Sequence, residues 1–232
     1  MKVLGIIPAR GGSKGIPRKN LQTINGKTLL QYAIDSGQQS KYINKLIVST
    51  EDSEIKEESV QLKCDVIERP DELAGDDVTT LAVIEHVLNY MDIKNSYFPD
   101  FIVLIQPTAP LRTSIHIDEA IEVLIKSDCD SVVSVAEVPF HYHPKWQMLI
   151  NKENCLVTTD NENLSKLIYQ RQKLSKSFFR NGAVYVSKRI TIEKYNNLYG
   201  HKCLPYIMPF ELSINIDSPA DFVLASNLIA DK

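Results

Sequence analysis

The 232-residue sequence predicts a doubly wound α/β fold, in which a mainly parallel sheet is covered on both faces by helices. Short continuous apolar runs alternate five times with helix-period segments between Val3 and Val138. The first run leads into a loop crowded with glycines and cations, at the strand's carboxyl end, where open α/β folds bind ligands. The alternation then stops, and it resumes only at Gly182.

Val3 to Pro8 reads as a fully buried strand, and the Gly-, Pro-, Arg- and Lys-rich stretch Ala9 to Asn20 as a loop. Thr28 caps a helix whose apolar face is Leu29, Leu30, Ala33 and Ile34. Leu46 to Ser49 is a second buried strand, and Asp52 opens a polar helix that runs to about Leu62. Val66 and Ile67 centre a short strand, followed by a loop from Arg69 to Thr80. Leu81 to Met91 carries a helical stripe of Leu81, Ile84, Val87, Leu88 and Met91. Phe101 to Ile105 is the strongest strand signal, and Pro107 and Pro110 stiffen the loop beyond it. Ser114 then caps a helix that buries Ile117, Ala120, Ile121 and Leu124, and Ser131 to Val138 is another strand. Pro139 to Arg180 shows no clear period; a short hairpin around Asn151 to Asn154 and a helix from Asn163 to Tyr169 are expected in it. Gly182 to Val186 returns to strand, Ile214 to Ile216 reads as a further strand, and Ala220 to Ile229 is the last helix. The expected organisation is therefore one domain, 1–232, with 139–180 inserted between late strands.

A net charge of −3 and a 44% apolar share describe an ordinary globular chain with enough material for a full core. The charge gives no basic face for nucleic acid, and no apolar run reaches membrane-spanning length. The N-terminus enters a strand at once and lacks the order of a secretion signal, so a cytoplasmic location is expected. Cys64, Cys129, Cys155 and Cys203 are scattered, without metal spacing, and are expected to be reduced thiols.

The most informative stretch is Pro8-Ala9-Arg10-Gly11-Gly12-Ser13-Lys14-Gly15-Ile16-Pro17-Arg18-Lys19-Asn20. Glycines let the backbone approach a ligand with its amides exposed, and Arg10, Lys14, Arg18 and Lys19 add cations suited to a polyphosphate. It is neither the common ATPase loop nor the three-glycine dinucleotide fingerprint. Spacing alone leaves open which of Lys14, Arg18 and Lys19 points inward.

The run from Ile7 to Asn20 resembles the signature of the acylneuraminate cytidylyltransferases, which make CMP-sialic acids. Further matching segments follow in order: Ile47 to Asp52, Arg69-Pro70, Leu104 to Arg112, Arg171-Gln172 and Asn181 to Tyr185. Enzymes for the eight-carbon acid of lipopolysaccharide share a similar first strand but usually lack the Gly-Gly-Ser-Lys-Gly core, so the resemblance leans to the nine-carbon branch. It implies a Rossmann-like nucleotidyltransferase that couples CTP to an acidic nine-carbon sugar, a sialic, legionaminic or pseudaminic acid, and releases pyrophosphate. The alternatives are a nucleotidyltransferase for another sugar or NTP, and a non-catalytic nucleotide-binding relative.

By resemblance, Arg10, Gly11, Gly12, Ser13 and Lys19 hold the nucleotide phosphates, Asn20 lies near the cytidine, and Arg69 and Thr80 lie near the base or ribose. Arg10 and Lys19 also suit charge moving onto a leaving group. At Thr79 or Thr80 a plain helix cap, with Arg69 solvated, is the competing reading. Gln106, a neutral amide at a strand's carboxyl end, is expected on the sugar, and Arg112 either there or holding the loop. Arg171 is expected to take the sugar carboxylate, and Asn181 keeps the sugar-site match. The family's late metal motif is often Asp-Ile-Asp; here it is Asn215-Ile216-Asp217. Asp217 is thus the better ligand for magnesium (Mg2+) and Asn215 the weaker, with a helix cap as the alternative for Asp217. His143-Pro144-Lys145-Trp146 departs from the sialic acid pattern near the sugar, and a structural or sugar-lining role is expected for His141 and His143. The inserted segment is expected to pair two subunits as a homodimer and to carry Arg171 to the neighbouring site.

Overall fold

A computed structural model describes residues 1–167 and 170–230. The seven-stranded central sheet contains β1 (Val3–Pro8), β4 (Lys45–Thr50), β5 (Asp65–Glu68), β6 (Phe101–Leu104), β7 (Ser131–Glu137), β10 (Phe178–Lys188) and β11 (Cys203–Ile207). Their spatial order is β11-β7-β10-β6-β1-β4-β5. β1 pairs in parallel with both β4 and β6, β4 with β5, and β11 with β7; β10 alone runs antiparallel to its two neighbours. The predicted doubly wound sheet is therefore present. Because β4 and β5 lie to one side of β1 and β6 to the other, the strand order reverses beside β1 and opens a crevice at the carboxyl ends.

The helices are α1 (Leu29–Gln38), α2 (Ser53–Gln61), α3 (Thr80–Asn95), α4 (Ser114–Lys126), α5 (Arg189–Tyr195) and α6 (Pro219–Ala230). Alternation along β1 sends Val3 and Ile7 to one face, into a core with Leu30, Ile34, Ile117 and Ile121 of α1 and α4. It sends Leu4 and Ile6 to the other, against Ile84, Val87 and Met91 of α3 and Ile192 of α5. A third cluster joins Ile16, Ile24 and Leu29 to Ile216 and Ala225, tying the N-terminal loop to the C-terminal segment. Thr28 and Asp52 cap α1 and α2 as expected, each accepting helix amides.

Several boundaries differ from expectation. The cap of α4 is Thr113, one residue before Ser114. Ile214 to Ile216 is not a strand, and the missing edge strand is Cys203–Ile207, paired with β7. Its Pro205 and alternating exposure hide it from an apolar-run search, yet an edge strand tolerates a proline. β10 begins at Phe178, so the last residues of 139–180 already belong to the sheet. Within that segment β8 (Met148–Ile150) and β9 (Leu156–Thr158) form the expected hairpin. A single 3-10 turn, Leu164–Lys166, stands where the Asn163 to Tyr169 helix was predicted; Ile168 and Tyr169 lie outside the described residues. A small hairpin of β2 (Thr23–Ile24) and β3 (Lys27–Thr28) precedes α1. No helix among the described residues is long and apolar enough to cross a membrane.

Candidate active site

A cavity of about 270 Å³ opens at the carboxyl ends of β1, β5 and β6. The N-terminal loop supplies Arg10, Gly12, Ser13, Lys19 and Asn20 to its wall; Arg69, Thr80 and Gln106 come from the loops after β5 and β6. Eight of the predicted ligand residues therefore converge on one space.

The loop's cations divide by what they touch. Arg18 sits in the left-handed region (φ 54°) and turns outward, where its guanidinium bonds Asp52 at 2.5 and 3.1 Å and Glu54 at 2.9 Å. The Arg18 hydrogen bond holds the Asp52 carboxyl below its ordinary range, so this cation is structural. Lys19 turns inward and is largely buried; its Nζ donates to the Ile216 carbonyl at 2.9 Å and to Asp217 Oδ1 at 3.0 Å. Arg10 and Lys14 both reach across the cavity mouth to Asp76, each at 2.8 Å. These bonds, from Lys14 first and then Arg10, hold the Asp76 carboxyl below its ordinary range.

Not every glycine serves a ligand. The Gly11 amide donates to Glu51 Oε1 at 2.7 Å, so the phosphate role expected for Gly11 is corrected to a structural one. A Cβ there would lie 2.2 Å from Asp52 Oδ2, whereas at Gly12 it would meet nothing within 4 Å. At Gly15 it would lie 2.4 Å from the Asp217 carbonyl, so this glycine permits the contact between the N-terminal loop and the segment that carries Asn215 and Asp217. Asn20 is buried and donates to the Arg10 carbonyl at 2.9 Å, shaping the loop from within.

Arg69 is buried, not solvated, and its Nε donates to Glu51 Oε2 at 2.9 Å. Its Nη2 is buried without a hydrogen-bond partner. Thr79 is the α3 cap, which leaves Thr80 free of that duty to line the cavity. Arg112 is fully buried and donates to Ser36 Oγ and to the carbonyls of Gln106 and Ala183. Burial pushes its guanidinium down to about 9, still protonated at neutral pH, and it fixes the loop that presents Gln106.

A second cavity, of about 330 Å³, shares Thr80 and Gln106 with the first and adds Arg180, Tyr199 and Asn215. Gly182 (φ 73°) brings the β10 backbone close to Gln106 Oε1 and Asn215 Oδ1, an approach that a side chain would block. Asn215 and Asp217 lie side by side without a strand, since Asn215 Nδ2 donates to Asp217 Oδ2 at 2.5 Å. Asp217 does not cap α6; Ser218 and Asp221 bond one another at that helix start. The Asn215 Oδ1 is buried without a partner, next to an exposed carboxylate. Among the described residues no three His, Cys, Asp or Glu side chains converge, so the protein alone does not complete a cation site. One carboxylate and one amide oxygen do fit Mg2+, which keeps waters and substrate phosphates as its other ligands.

One sugar-site expectation, that for Asn181, needs correction. Asn181 is fully buried: its Nδ2 donates to Ser213 Oγ at 2.8 Å, and its Oδ1 accepts from Ser134 Oγ and the Ala183 amide. Strand alternation turns it into the core, and its polar atoms are spent there. Arg171 lies in a separate cavity within the inserted segment, its guanidinium stacked 3.4 Å from the Phe140 ring, and does not meet Gln106 within one chain. His143 is structural: its Nδ1 accepts the Lys145 amide, so Nε2–H donates to the Ser175 carbonyl. Sequence reasoning gave no role to Glu51, Asp76 or Tyr199; of these only Glu51, just beyond a central strand's carboxyl end, carried a positional signal.

Residues 4–204 match a family described as Cytidylyltransferase. The N-acylneuraminate cytidylyltransferase of Streptococcus agalactiae serotype V is 31% identical over 96% of this chain and 52% of its own length. The chain thus spans about half the length of the first curated relatives it matches. A CMP-N,N'-diacetyllegionaminic acid synthase of Legionella pneumophila is 29% identical and covered over 97% of its length, against 99% of this chain. Among solved structures, a CMP:2-keto-3-deoxy-manno-octonic acid synthetase complexed with CTP superposes with a TM-score of 0.75 at 14% identity, covering 100% of this chain and 99% of that one, which establishes the shared fold. With the profile spanning most of its length and the strand-end cavity in place, the chain belongs to the cytidylyltransferase family.

Proposed function

We propose that this chain transfers CMP from CTP to the anomeric hydroxyl of a nine-carbon 2-keto acid sugar, a sialic acid or the related legionaminic or pseudaminic acid, and releases pyrophosphate. The observation that carries the reading is the convergence of Arg10, Lys19, Gly12 and Ser13 on one cavity beside Arg69, Thr80 and Gln106. The names of the relatives supply the nucleotide and the class of acid. In this reading the triphosphate lies along the loop, and Arg10 and Lys19 face the departing pyrophosphate, where fixed cations lower the barrier as charge develops. Asp217 and Asn215 would hold Mg2+, which when bound neutralises phosphate charge. Gln106 stands between the two cavities and positions the acceptor hydroxyl against the α-phosphorus. Catalysis is then mainly positioning and electrostatics.

Pairing of two copies belongs to the same reading. The inserted hairpin leaves Met148, Leu149, Ile150 and Leu156 exposed, an apolar patch suited to an interface. A second copy seated there would bring its own Arg171 toward the acceptor carboxylate. Four unpaired cysteines, Cys64, Cys129, Cys155 and Cys203, suit a reducing cytoplasm, where CTP is available. The test is pyrophosphate release with Mg2+ from a panel of NTPs against sialic, legionaminic and pseudaminic acids, with mass measured in solution by light scattering. CTP-dependent release with one of these acids, from a dimer, is expected. Release with another NTP, or CTP binding without release on any acid, would overturn the reading.

A further inference from the structure

Resting on that reading, we infer that Asp76 is a tethered anion that competes with the leaving pyrophosphate for Arg10 and Lys14, weakening their hold on that product and speeding its departure. A single carboxylate takes both cations: Oδ1 accepts from Arg10 Nη2 and Oδ2 from Lys14 Nζ, each at 2.8 Å. Among the described residues it is the one carboxylate within ion-pair distance of either. Arg10 and Lys14 follow the carboxyl end of β1, whereas Asp76 comes from the loop after β5, so the pairing crosses the cavity mouth. The carboxylate stands where two cations would otherwise meet one bridging phosphate.

The loop that carries Asp76 is fixed at both ends and free to yield between them. At its start the Arg69 amide donates to the Thr50 carbonyl at 3.0 Å, and the Leu73 amide closes a turn on the Pro70 carbonyl at 2.9 Å. At its end Thr79 caps α3. Gly75, Asp76 and Asp77 between these anchors are exposed. The two ion pairs tie this tip to the N-terminal loop, together with a 3.5 Å bond from Arg10 to the Ala74 carbonyl. Ion pairs this exposed are weak, so a polyanion with several charges displaces them. Apparent affinity for that polyanion is lowered by the fraction of protein held in the paired state. The displaced carboxylate stays beside the bound anion, repels it, and retakes both cations when it leaves.

The experiment titrates inorganic pyrophosphate, in EDTA and without nucleotide, into the unmodified chain, Asp76→Asn and Asp77→Asn by calorimetry. Asp77 is the exposed neighbour that meets neither cation, and its neutralisation changes the net charge equally. Asp76→Asn should bind pyrophosphate at least about threefold tighter, while Asp77→Asn stays within about twofold of the unmodified chain. In turnover assays that follow the sugar nucleotide, the inhibition constant for added pyrophosphate should fall by a similar factor in Asp76→Asn. Damage to the fold weakens binding, so a gain separates competition from a merely structural role. Asp76→Asn protein that binds pyrophosphate no tighter, or not measurably, overturns the inference, as does equal tightening in Asp77→Asn. Tighter pyrophosphate binding in Asp76→Asn by a chain that turns over no acid would instead remove the catalytic reading and keep the competition.

Discussion

Gly15→Ala places a single methyl group between the N-terminal loop and the segment carrying Asn215 and Asp217. The added Cβ would lie 2.4 Å from the Asp217 carbonyl oxygen, a backbone atom that cannot swing aside. Ordinary contact begins near 3.4 Å, so the two segments must part by about 1 Å. Two bonds span the same gap, from Lys19 Nζ to the Ile216 carbonyl and to Asp217 Oδ1, and both lengthen with it. Overpacking of this kind costs about 1–3 kcal/mol of stability, small enough to leave a folded protein. Displacement of reacting groups by about 1 Å can lower turnover on the order of 100-fold. Gly12→Ala is the contrast for stability, because a Cβ there meets nothing within 4 Å. Calorimetric melting and initial rates of pyrophosphate release on both variants supply the readout. A Gly15→Ala protein with unmodified turnover and melting temperature would refute the claim that this contact sets the distance between the loop and Asp217.

Asp76→Asn removes the carboxylate that holds Arg10 and Lys14 across the cavity mouth, and CTP titrations should show severalfold tighter binding with a steeper loss on adding salt. Asn215→Asp adds a second carboxylate beside Asp217, and the Mg2+ concentration for half-maximal rate should fall severalfold in a metal titration. Arg18→Ala should lower the melting temperature at neutral pH by the equivalent of at most about 1 kcal/mol, since the Arg18 guanidinium is more than a third exposed. The Asp52 carboxyl is held below its ordinary value in the folded protein, so this contribution is full above pH ~4 and disappears as pH falls through the lowered value. Melting curves of the two proteins should converge in acid, and a constant gap down to pH 2 would contradict the linkage.

The central parallel strands β1 and β6 were legible because they are buried on both faces and read as unbroken apolar runs, Val3–Pro8 and Phe101–Leu104. Cys203–Ile207 escaped because one face is solvated and Pro205 interrupts it. The loop's place at a strand-end cavity was legible from composition and position, but the fate of each cation was not. Arg18 and Lys19 are neighbours, and only the carboxylates that meet them, Asp52 and Asp217, separate an outward residue from an inward one. Asn181 shows the same gap from the other side. Lying in a motif next to a site does not fix which face of a strand a side chain takes, and an irregularity at Gly182 decides it here. Pairings between distant loops, such as Arg10 with Asp76, leave no periodic trace in the chain.

Glu51 spends one oxygen on the Gly11 amide and the other on Arg69 Nε, so a single carboxylate braces two walls of the strand-end cavity. Substitutions on either wall are therefore mechanically linked through it. Kinetic losses from an Arg69 variant will report partly on a relaxed glycine turn, and only paired substitutions that include Glu51 can divide the effect between the two walls.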